Sequence, residues 1–130
     1  MKHDCLVPIG QRAVFYIPAK KLEKKYQQGA MLKTAKLIFH DFFIKNYNAY
    51  TVDVQEAQGF WRKNYDEEET QDKSVRYEVS FEGKVEEFID FLSETCDMIG
   101  EECIYLTMGP NSYLVTPSST PTEKKSSKNS

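Results

Sequence analysis

Hydrophobic and polar positions alternate in two stretches of this chain and recur at three- and four-residue intervals in two others. Around Tyr50–Gln55, Tyr50, Val52 and Val54 point one way while Thr51, Asp53 and Gln55 point the other. Across Ser74–Phe81, Val75, Tyr77, Val79 and Phe81 oppose Ser74, Arg76, Glu78 and Ser80. Alternation with period two is what a strand with one buried face requires. The two runs therefore predict a long hairpin joined by the polar, acidic stretch Arg62–Lys73, with a bulge at Ala57 and Gly59 before Phe60 and Trp61. Arg12–Ile17 predicts an earlier strand stopped by Pro18, and Cys103–Met108 the last main strand. Tyr113–Thr116 reads as a short return after the Gly109-Pro110-Asn111 turn.

The helical period appears twice. Val85, Phe88, Ile89, Leu92, Cys96 and Ile99 form one apolar stripe, with Gly100 as its exit. Leu32, Ala35, Phe39, Phe42 and Phe43 form another, predicting a helix from Leu32 to about Tyr47 that stops at Asn46 or Asn48. Lys20–Met31 is ambiguous: Leu22 and Tyr26 suit a short helical face, and Gly29 interrupts it. The order strand, helix, strand, strand, helix, strand predicts an α+β, ferredoxin-like βαββαβ domain. Its four-stranded antiparallel sheet carries two helices on one face and a short extra C-terminal strand. The domain spans residues 12–116, after a lead-in over 1–11 and before a Ser/Lys-rich tail over 117–130 that is expected to be disordered.

Composition narrows the class of partner. The 130 residues suit one domain, and a hydrophobic share of 40% supports a packed core. A formal net charge of -3 gives no positive field for phosphate backbones, so no nucleic-acid partner is expected, although Lys20, Lys21, Lys24 and Lys25 are crowded together. No apolar run is long enough to cross a bilayer, and the start lacks a hydrophobic segment of signal-peptide length, so the expected location is cytoplasmic. Cys5, Cys96 and Cys103 form an odd set without a C-x-x-C pair, which suits reduced thiols.

Thr51, Val52, Ala57, Gly59 and Trp61 resemble the T-V-x-x-A-x-G-x-W type motif of a small family of bacterial ferredoxin-like domains. This chain has two more residues between Val52 and Ala57. Ser74 and the Ile99-Gly100-Glu101-Glu102 passage fit the same pattern, and the resemblance spans Val14 to Thr107. The wider fold group includes trimeric PII-like regulators and dimeric barrel-forming enzymes, whose diagnostic residues are not placed in this chain. The resemblance implies a fold and no settled activity.

Catalytic motifs are absent: there is no Gly-rich phosphate loop, H-E-x-x-H pair or G-x-S-x-G elbow. His40 reads as a packed or surface residue, and a Cys103–His40 thiolate pair would need tertiary contact that spacing does not supply. Asp66-Glu67-Glu68-Glu69 lacks the alternating ligands of a calcium loop and reads as solvated. No metal or cofactor is expected. The candidate ligand-binding surface is the outward sheet face, with Asp53, Arg76, Glu78 and Tyr105 joined by Trp61 and Arg62. Trp61 could stack on a planar ligand, and an arginine could hold a phosphate or carboxylate. Trp61 could equally cap the core, with Arg76 and Glu78 merely pairing across strands. The favoured expectation is a non-enzymatic binding or regulatory protein, a homodimer or homotrimer, that captures a small anionic or nucleotide-like ligand at a subunit junction. The alternatives are a small acid–base enzyme using two of Asp53, Glu78, Tyr77 and His40, or a protein–protein adaptor or inhibitor from a phage or mobile element.

Overall fold

The computed structural model describes residues 5–61 and 70–118, with side chains described for 5–53 and 73–118. Strand β1 (Gln11–Pro18) leads into a short helix α1 (Ala19–Leu22) and a small hairpin, β2 (Lys25–Gln28) and β3 (Met31–Thr34). Helix α2 (Ala35–Tyr47) follows, then the long hairpin β4 (Thr51–Trp61) and β5 (Thr70–Phe81). Helix α3 (Val85–Ile99) and strands β6 (Ile104–Met108) and β7 (Asn111–Val115) complete the described chain.

The molecule is a mixed α+β fold whose main sheet runs β4-β5-β1-β6-β7, antiparallel at every pairing. Removing α1, β2, β3 and β7 leaves the predicted βαββαβ order. Three features depart from the predicted scheme. The predicted extra C-terminal strand is β7, but it begins at Asn111 and pairs with β6 from Ile104↔Val115 to Met108↔Asn111, so the sheet has five strands and not four. The hairpin β2–β3 forms a separate two-stranded sheet. Helix α2 starts at Ala35, so Leu32 lies in a strand and is largely exposed.

Local chemistry explains that last correction. Gly29 takes φ 61 at the first central position of the β2–β3 turn, where a type II′ hairpin demands a positive φ. Thr34 then caps α2, its side chain accepting from the Leu37 amide at 3.2 Å. The predicted stop at Asn48 holds: its φ is 70, and its amide donates to the Ile44 carbonyl. Helix α3 keeps its predicted limits, and left-handed Gly100 turns the chain at its end. Lys21 supports that end by donating to the Ile99 carbonyl and pairing with Glu101 at 3.0 Å.

Both long helices bury their apolar sides against one sheet face. Phe15 of β1 and Tyr77 of β5 stack at 5.1 Å, and Phe39 and Phe43 of α2 and Phe88 of α3 close around Phe15. All five are buried, so core packing spans the sheet and both helices. In β4, the register against β5 shifts between Asp53 and Ala57. The long hairpin extends through Ala57↔Ser74 to Trp61↔Thr70, so β5 begins before Ser74. The acidic run Asp66–Glu69 and the tail from Ser119 lie outside the described residues.

Candidate functional site

Alternation in each strand leaves a second face, opposite α2 and α3, that no described element covers. The pairing builds one unbroken row across it: Thr51, Glu78, Val14, Thr107 and Ser112. In the neighbouring row Asp53 pairs with Arg76, and Arg76 with Tyr16. Beyond Tyr16 lies Tyr105, with ring centroids 6.5 Å apart. Glu78 is the electrostatic centre. One carboxylate oxygen meets Arg12 Nε at 3.2 Å, and the other meets Arg76 Nη2 at 3.0 Å. The three side chains remain partly in water, Arg12 most of all, so each contact contributes little to stability.

Tyr105 is half exposed, and its hydroxyl lies 3.2 Å from Ser112 Oγ. Hydrogen bonds to Ser112 and then Thr107 bring its phenol below the usual range. Leu114, opposite Tyr105 on β7, adds exposed apolar surface. The face thus combines electron-rich rings, carboxylates and guanidiniums, which suits a ligand with a flat ring and both signs of charge.

Four of the six sequence-predicted site residues, Asp53, Arg76, Glu78 and Tyr105, share this face. Trp61 closes β4 in the backbone, its side chain lying outside the described residues, as does all of Arg62. Arg12 and Tyr16 were missed by sequence reasoning. Alternation of β1 places them opposite Ala13, Phe15 and Ile17, but only the β1–β5 register sets Tyr16 beside Arg76.

The other acid–base candidates face the wrong way. Tyr77 is buried in the aromatic core, where desolvation and then Tyr50 and Glu23 push its phenol far up. His40, on α2, engages the Tyr50 hydroxyl through Nδ1 at 2.8 Å. Burial, then Glu102 and Glu101, raises the Cys103 thiol, the opposite of what a thiolate nucleophile needs. Asp53 and Glu78 are the two predicted proton acceptors left on the open face.

No family model and no curated protein matches the chain, so the T-V-x-x-A-x-G-x-W resemblance assigns it to no family. Among solved structures it is similar to a phage SAM lyase in its apo state, with a TM-score of 0.52 and 12% identity. The match covers 91% of this chain and 98% of the phage chain. At that identity the likeness is one of fold.

Proposed function

We propose that this chain is a small lyase-type enzyme acting on a nucleotide-like sulfonium of the SAM class, as a homo-oligomer whose subunits meet over the open sheet face. The arrangement of Tyr16, Tyr105, Glu78 and the two arginines on one face carries this reading. A sulfonium is attracted to the faces of aromatic rings, and a planar base stacks on them. The substrate's carboxylate would exchange with Glu78 for Arg12 or Arg76, and its ammonium would find Glu78 or Asp53. Elimination would break the C–S bond to the amino-acid arm and form a C=C bond within that arm. A protein carboxylate takes the proton from the carbon adjacent to the one losing sulfur, and the neutral nucleoside thioether leaves with the C–S electron pair. Either carboxylate freed by the substrate could take that proton. The end-to-end likeness to a phage SAM lyase supports the reaction class, and a second subunit would deepen a shallow face into a cleft.

The test is incubation of the purified chain with SAM, following its loss and the appearance of nucleoside thioether by mass spectrometry. Consumption by the wild type that disappears in Glu78→Gln and Tyr105→Ala, both still folded by circular dichroism, is the expected result. No consumption, together with no SAM-induced rise in melting temperature, would sink the proposal.

A further inference from the structure

On the opposite side of the molecule, α2, α3 and the β2–β3 hairpin enclose a groove of about 630 Å³. Its floor is apolar: Phe42 and Phe91 stack with centroids 3.9 Å apart and planes 4° from parallel. Its α3 wall is a line of exposed carboxylates, Glu87, Asp90 and Glu94. At helical rise these lie about 4.5 Å and about 6 Å apart along the axis, on one stripe of the surface. Asp41, on the α2 wall, is occupied by Lys33 at 3.0 Å. An acidic row alone is ordinary solvated surface, but a second observation points to a ligand. Thr95 also lines the groove, is only 3% exposed, and its hydroxyl has no hydrogen-bond partner among the described residues. A buried hydroxyl left unmatched is costly, and a donor arriving in the groove would satisfy it.

We infer that this groove binds a linear polyamine, with successive ammonium groups on Glu87, Asp90 and Glu94, methylene spacers over the Phe42–Phe91 floor, and one N–H donated to Thr95. A triamine with one propyl and one butyl spacer has unequal intervals in keeping with the short and long steps of the carboxylate row. Lys45 on the facing wall works against such a cation, which gives the idea a sign to test. The groove is separated from the open sheet face by the sheet itself, so this inference stands or falls apart from the lyase reading.

The experiment titrates spermidine into the full chain, read by amide NMR shifts and calorimetry at low and physiological salt. Shifts confined to Phe42 and the 87–98 segment of α3, weakening with salt, are expected. Removing two contacts in Asp90→Asn/Glu94→Gln should weaken binding about tenfold. Thr95→Val should weaken it about fivefold, and Lys45→Gln should strengthen it about threefold. Wild-type affinity in the double variant would overturn the inference. So would equal shifts from magnesium, or displacement by a lysine tripeptide at lower concentration than spermidine, which would mark a peptide-docking surface.

Discussion

Phe15 and Tyr77, on the face that α2 and α3 cover, stack at 5.1 Å with almost no contact with water. Tyr16, the next residue along the same strand, instead turns its ring towards Tyr105 across open surface, and Tyr105 is half exposed. One step in sequence thus separates a side chain held by packing from one free to meet a ligand. On the covered face, shape complementarity and desolvation decide everything. On the open face, charges and rings contribute little to stability and are available for recognition.

The largest break in that comparison is Phe15→Ala, which should cost about 3–5 kcal/mol because its ring is enclosed by four other aromatics. Urea unfolding followed by circular dichroism measures it. A loss below about 1 kcal/mol would mean that the core relaxes far more than its packing implies.

Alkaline pH should separate the faces next. Burial, reinforced first by Cys103, pushes the Cys96 thiol up to about 12, and burial with Glu87 pushes the Tyr47 phenol up to about 12. Both groups keep their protons longer in the folded chain than in the unfolded one. Their stabilising contribution is therefore whole below the ordinary thiol value of 9.0 and is lost as pH climbs towards about 12. Urea midpoints measured at rising pH should fall through that window, and less steeply in Cys96→Ala. Tyr105 behaves in the opposite sense, so the earliest tyrosinate absorbance should vanish in Tyr105→Phe.

Glu78→Gln sharpens the contrast. It loses two ion pairs, yet stability should change by no more than about 1 kcal/mol because these pairs are partly solvated. Under the lyase proposal, SAM turnover measured beside it should collapse. The smallest expected effect is Lys84→Gly: Lys84 precedes α3 at φ 59, and glycine there should raise stability by up to about 1 kcal/mol in the same urea assay.

Much of this architecture was legible because it rests on local rules. The α3 stripe from Val85 to Ile99 and its Gly100 exit were readable from spacing alone. So was the inward side of β5, since Val75, Tyr77, Val79 and Phe81 alternate without a break. Leu32 misled, because it fits the α2 period while Gly29 and Thr34 together bind it into a hairpin. A strand and the first turn of a helix share apolar spacing over so few residues, and the turn and cap decide between them. The polyamine groove was not legible at all. Glu87, Asp90 and Glu94 stay exposed on α3, and only the tertiary structure sets the β2–β3 hairpin and Phe42 beside them.

Sequence by itself determined which residues of each strand share a side, because alternation is set by the backbone pleat within a few residues. It therefore placed Asp53, Arg76, Glu78 and Tyr105 outward. Tertiary structure alone decided which strands stand side by side, and so put Val14 against Glu78 and Thr107, and Arg12 within reach of Glu78. Those pairings join segments separated by dozens of residues. Their register follows from how the whole core closes, which no local pattern records.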